Sequence, residues 1–166
     1  MAMSPEQMAV RMGLDIPDFA VSDYYGADYG TMKPFHLMGN LLFLSGHVAQ
    51  IGADITHKGR LGTGLTTEQG YAAAWQTGVN VLGGIRQAVG SLDRVKAIVR
   101  TLNFVVCAPG YEDVTWFRRG FRICWSRCSA ATEGLAARIA GRATIGVMAL
   151  AAGVCFENWA TVEVEG

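Results

Sequence analysis

The stretch VKAIVRTLNFVV, residues 95 to 106, constrains this chain more than any other. It is rich in β-branched residues, and the alternation of a strand puts Ile98, Leu102, Phe104 and Val106 on one face with Arg100. Val99, Thr101, Asn103 and Val105 fall on the other. Both faces are largely apolar, so the segment belongs at the centre of a sheet, covered by helices on one side and by more protein on the other.

The covering helix is legible just upstream. Thr66 followed by Gln69 has capping-box spacing, and Tyr71, Trp75, Gly78, Leu82, Ile85 and Val89 then recur at steps of four and three until Gly90. Gly78, Gly83 and Gly84 allow close approach to a sheet at a cost in helix propensity. A shorter helix starts at Ser4-Pro5 with Gln7 as its capping partner and ends near Gly13. The aromatic and glycine-rich segment 15 to 34 reads as irregular surface chain. Gly39-Asn40, between two short apolar runs, predicts a tight hairpin whose second strand, Leu41 to Leu44, meets Ser45-Gly46. Residues 51 to 65 read as a glycine-punctuated loop. After Pro109-Gly110, Val114, Phe117, Phe121 and Cys124 form the stripe of a second amphipathic helix, with Arg118, Arg119 and Arg122 off that stripe. Two strands close the chain, Ala143 to Met148 and Val154 to Val164, joined by ALAAG into a second hairpin. The fold class is therefore α/β, of the α+β kind: a mixed sheet with two helices on one face. An N-terminal helix and irregular segment, 1–34, leads into the main body, 35–166, within one domain.

Composition narrows the function classes. Fourteen Lys and Arg balance fourteen Asp and Glu, so no positive field exists to hold a phosphate backbone, which argues against nucleic acid. Charged residues make up 17% and the apolar set 51%, a balance expected where further copies of the chain cover part of the surface. Apolar runs are interrupted well before the roughly 18 residues of a membrane span, and the N-terminus lacks a basic segment followed by an apolar one, so a cytoplasmic protein without membrane contact is expected. Cys107, Cys124, Cys128 and Cys155 lie in apolar contexts, far in sequence from His36, His47 and His57, and read as free thiols. Neither a metal nor a cofactor is expected.

The run GRATIGVMALAAGVCFE, 141 to 157, carries one Arg at its head and one Glu at its tail. If the last two strands pair antiparallel with Arg142 opposite Trp159, then Arg142 and Glu157 emerge on one face as diagonal neighbours roughly 7–8 Å apart at the β-carbons. A slip of one residue separates them onto opposite faces. In a shared cleft, Arg142 would grip a carboxylate with two parallel hydrogen bonds and Glu157 would hold or activate a water. The alternative is a structural ion pair.

GNLLFLSGHVAQ, SLDRVKAIVRTLNFVVCAPGY and RATIGVMALAAGVCFENWATVEV, spread over about residues 36 to 164, together resemble the RidA/YjgF family of enamine/imine deaminases, in its longer branch. The resemblance implies a chorismate-mutase-like domain assembled as a homotrimer with sites in the clefts between subunits. There, small 2-enamino and 2-imino acids would be hydrolysed to 2-oxo acids and ammonia without a cofactor. It implies Arg142 as the carboxylate-binding residue, Glu157 as the water-positioning residue, and Thr144 and the Ser45-Gly46 pair as substrate contacts.

Several positions depart from the family pattern. The Tyr that enters the cleft from the N-terminal segment falls near Met32, with Tyr29 as its replacement across a gap, and an Asn of the second helix falls on Arg119. His47 stands where Gln is common and is expected at the cleft rim as an additional acid or base. Trp159, two residues after Glu157, is expected to share its face and wall the pocket. Two alternatives stay open: a specialised pathway enzyme (cyclase, dehydratase or tautomerase) using Glu157 and His47 on the same scaffold, and a non-catalytic ligand-binding trimer. The endoribonuclease role attached to the family is disfavoured by the neutral charge.

Overall fold

The computed structural model describes residues 3–22, 32–115 and 141–166. Within them the elements run α1 (Pro5–Arg11), β1 (Phe35–Met38), β2 (Leu41–Leu44), β3 (His47–Val48), β4 (Gln50–Ile51), β5 (Asp54–Ile55), α2 (Thr67–Val89), β6 (Val95–Val106), β7 (Gly141–Val147) and β8 (Phe156–Val164). The main sheet is mixed, in the order β1-β2-β8-β6-β7, with β3 also paired to β8.

Both expected helix starts form. Ser4 with Gln7 and Thr66 with Gln69 make reciprocal capping boxes, and Gly90 ends α2 in the left-handed conformation at φ 83°. The β1–β2 hairpin turns at Gly39, φ 60°, with Met38 opposite Leu41. Segment 51–65, expected as loop, begins instead with the small β4–β5 hairpin, turned at Gly52. The second amphipathic helix falls mostly outside the described residues, which include only a 3-10 turn at Asp113–Thr115.

The C-terminal hairpin is corrected. β7 and β8 do not pair with each other, because β6 lies between them, parallel to β7 and antiparallel to β8. The cause is backbone satisfaction: a strand apolar on both faces needs ladder partners along both edges, and a β7–β8 hairpin would leave one edge of β6 without its partner. Residues 107–140 supply the long connection that a parallel pair requires. The return from β7 to β8 arches over the end of β6 through Ala152 and Gly153, both at positive φ. Arg60 fastens this crossing by donating to the carbonyls of Cys107 at 2.5 Å and Met148 at 2.6 Å.

Register then sorts the side chains. Phe156, Asn158, Ala160, Val162 and Val164 of β8 are buried against α2, whose Ala74, Val81, Leu82 and Ile85 belong to the same core. Ile98 joins them, contrary to the uninterrupted alternation expected for β6. A register shift between Ile98 and Arg100 pairs the first with Val162 and the second with Thr161, which turns Ile98 to the helix side. The opposite face carries Glu157, Trp159 and Thr161, with Phe104 and Ile145 alongside in register. It stays open: Phe43 is 38% exposed, Ile145 46% and Trp159 49%.

α1 closes one end of the core. Ala9 is buried in it, and the Glu6 carboxylate pairs with Arg86 of α2 while accepting the Leu92 amide at 2.7 Å. At Gly84 α2 packs closely on the His47 ring of β3, since a β-carbon there would lie 2.5 Å from His47 Nε2. Gly84→Ala is accordingly expected to destabilise the fold by about 1–3 kcal/mol through overpacking, read from urea unfolding midpoints. An unchanged midpoint would mean that helix and sheet are not held at this spacing.

Candidate functional site

Glu157 and Trp159 sit two residues apart on β8 and share the open face, as the strand period requires. Trp159 Nε1 donates to Glu157 Oε1 at 2.6 Å, a short bond of the charge-assisted kind. The Trp159 ring meets Phe104 of β6 edge-on, with centroids 5.2 Å apart. Phe104, which stands opposite Glu157 in the β6–β8 ladder, is a residue that sequence reasoning did not single out.

Ser45 and Gly46 complete this half of the site. Between the pairs Phe43–Thr161 and His47–Asn158 the chain advances four residues against three on β8, so it bows by one residue at Ser45-Gly46. Ser45 anchors the bow, its hydroxyl donating to the Lys33 carbonyl at 2.5 Å and its amide to that of Pro34 at 3.0 Å. The Glu157 carboxylate lies directly over Gly46, where any β-carbon would overlap Oε1 and come within 2.9 Å of Trp159 Nε1.

Arg142 and Thr144 lie elsewhere. Arg142 is in register with Thr101 and Thr144 with Asn103, and both β6 residues are buried on the helix side. The two charges expected on one face therefore occupy opposite faces, separated by two strand spacings, about 10 Å, across the sheet and by three residues, about 10 Å, along it. The proposed Arg142–Trp159 register fails because β6 stands between the strands. Arg142 is exposed on β7, one of the two edge strands of the described sheet, and has no ion-pair partner among the described residues, where the single ion pair is Arg86–Glu6. A structural Arg142–Glu157 bridge is thereby removed as an explanation.

Behind Thr144 runs a buried amide chain that the sequence did not announce. Asn158 Nδ2 donates to the Leu102 carbonyl at 3.2 Å and to Asn103 Oδ1 at 2.9 Å. Asn103 Nδ2 in turn donates to the Ala143 carbonyl at 3.3 Å and to Thr144 Oγ1 at 3.4 Å. The backbone carbonyls fix the orientation of both amides, so Thr144 receives a hydrogen bond and keeps its own proton to give. The only hint in the sequence was an Asn in each of two apolar strands.

His47 is corrected as well. Its partner on β8 is Asn158, on the helix side, and the ring is 1% exposed beneath Gly84. Nδ1 lies 2.8 Å from the Ser45 carbonyl, and burial pushes the imidazole down to about 4 while that bond opposes the shift. A neutral core histidine replaces the expected acid or base at the cleft rim. Tyr29 and Arg119 lie outside the described residues. Two hollows, of about 470 Å³ around Gly62–Glu68 and Tyr111 and about 390 Å³ around His57, Tyr71 and Trp75, contain neither Arg142 nor Glu157. Among the described residues no three His, Cys, Asp or Glu gather as a metal site, and no helix is long and apolar enough to cross a membrane.

Comparison with known proteins gives the family. The sequence pattern described as "YjgF/chorismate_mutase-like, putative endoribonuclease" matches residues 6–108, and the chain belongs to this family. Protein TCP17 of Trypanosoma cruzi is 30% identical over 110 residues, 66% of this chain, and the chain spans 65% of that relative's length. Among solved structures, a Shewanella oneidensis protein described as a "putative endoribonuclease" superposes with a TM-score of 0.85 at 22% identity, over 98% of this chain and all of the other. Atu1372 of Agrobacterium tumefaciens gives 0.82 at 23% over 97% and 92%, and RidA of a Psychrobacter species 0.54 at 20% over 83% and 92%. These likenesses establish a shared mixed α+β fold.

The buried imidazole makes stability pH-dependent with a definite sign. The folded chain keeps His47 neutral down to about 4 whereas the unfolded chain binds the proton near 6.5, so the unfolded state holds more protons between those values. Stability is expected to be complete above pH 6.5 and to fall as pH drops toward 4. His47→Gln should flatten that slope in chemical unfolding series, and an equal slope in both proteins would contradict the placement of the ring.

Proposed function

We propose that this chain is a hydrolase of small 2-imino and 2-enamino acids whose site forms between copies of the chain in a homotrimer. The observation that carries the reading is the separation of the two charges. Glu157 is poised over Gly46 on an exposed apolar sheet face, while Arg142 stands without an ion-pair partner among the described residues on an edge strand, where a neighbouring copy can meet it. A lone chain cannot bring them together, whereas packing the open faces buries Phe43, Ile145 and Trp159 and sets the Arg142 edge of one copy beside the Glu157 face of the next.

In that cleft the Arg142 guanidinium and the Thr144 hydroxyl, both donors, bind the substrate carboxylate. Glu157 accepts a proton from water as the water oxygen bonds to the imine carbon, and the C=N π pair moves onto nitrogen. Glu157 returns that proton to the nitrogen, giving the neutral carbinolamine. The carboxylate then takes the carbinolamine O–H proton as that bond pair re-forms the carbonyl, and passes it to the nitrogen, which leaves with the C–N pair as ammonia. One water is consumed and no redox partner is needed. Cleavage of RNA, the activity in the family's description, is the less suited reading for a chain of zero net charge.

The test supplies 2-iminobutyrate from an amino-acid oxidase and follows 2-oxobutyrate and ammonia. Glu157→Gln is expected to lower kcat roughly 10²- to 10⁴-fold. Arg142→Lys should chiefly raise KM, roughly tenfold or more, because an ammonium cannot reproduce the two-pronged grip. Undiminished turnover by both variants would remove the assignment.

A further inference from the structure

We propose that Trp159 is the positioning residue for Glu157: its indole holds carboxylate oxygen Oε1 against Gly46, so that Glu157 works through Oε2 alone. The inference rests on the reading of Glu157 as the carboxylate that activates water.

A carboxylate at the end of a Glu side chain turns in a broad, nearly two-fold torsional well, which by itself points neither oxygen anywhere in particular. Three contacts remove that freedom. The indole N–H is a donor only, so its 2.6 Å bond to Oε1 has one direction and no alternative tautomer. The edge-on contact with Phe104, 5.2 Å between centroids, braces the indole ring. Finally, the absence of a β-carbon at Gly46 leaves room for Oε1 at the place where it meets the indole.

Oε1 has one lone pair in this bond and is seated against Gly46, so the lone pairs of Oε2 are the better placed to take a proton from water. Trp159 therefore acts as more than a wall of the pocket or an interface side chain. It fixes which oxygen is the base and in which plane it acts.

Trp159→Phe keeps an aromatic ring beside Phe104 but deletes the donor. Loss of a hydrogen bond to a charged group predicts a roughly ten- to hundredfold lower kcat toward 2-iminobutyrate, with KM within twofold of wild type and the trimer mass retained. A residue needed only for packing would instead shift mass or stability and leave kcat per intact trimer alone. A spectroscopic readout on the unaltered ring covers the case in which that variant fails to assemble. In wild type the Trp159 indole proton should resonate downfield of the other tryptophans, and Glu157→Gln should move it upfield, because a neutral amide is the weaker acceptor. If Glu157→Gln abolishes turnover while Trp159→Phe keeps full kcat and the indole resonance ignores Glu157, this proposal fails and the functional reading survives. If Glu157→Gln keeps full turnover, both fall.

Discussion

The position of β6 governs everything else in this molecule. A strand apolar on both sides must have hydrogen-bonded neighbours at both edges and cover on both faces, and the chain meets the first demand by inserting β6 between β7 and β8. That insertion decides which face every C-terminal side chain occupies. Phe156, Asn158 and Ala160 turn to α2, while Glu157 and Trp159 turn to the uncovered side. The second demand, cover for the outer face, is not met by the described part of a single chain.

The proposed function starts from that incompleteness. A site confined to one chain would need Arg142 and Glu157 within reach of a common ligand, and the ladder holds them on opposite faces of three adjacent strands. The same apolar face that asks for cover also carries the carboxylate. On the proposed reading, assembly and site formation are one requirement, and so weakly charged a chain would place two isolated charges in apolar strands, not paired with each other, for a neighbouring copy to complete.

Much of this was legible in the sequence, and the failures have physical causes. Local chemistry was readable: the capping boxes at Ser4 and Thr66, the αL stop at Gly90 and the turn at Gly39 each depend on a few adjacent residues. The strands β1, β2, β6, β7 and β8 were readable from apolar runs and alternation, as was the shared face of Glu157 and Trp159, whereas the two-residue strands β3, β4 and β5 are too short to show a pattern. Strand partnership was not readable, because the eight residues 148–155 that would close a hairpin serve equally well to arch over a third strand. His47 was misplaced for a related reason: Ser45-Gly46 marks where the strand bends or stops, but not that the one-residue bow there reverses the face on which His47 and Val48 lie. The Asn103–Asn158 amide chain likewise needed the register before either polar residue had a partner.

The most direct test of the central claim mixes two inactive proteins. Arg142→Ala and Glu157→Gln chains, denatured together in equal amounts and refolded, would form trimers in which one cleft of every mixed assembly receives an intact Arg142 from one chain and an intact Glu157 from its neighbour. Random mixing then predicts recovery of about a quarter of wild-type turnover of 2-iminobutyrate, with each parent refolded alone remaining inactive. Mixed trimers, verified by mass, that stay as inactive as their parents would contradict a site shared between copies.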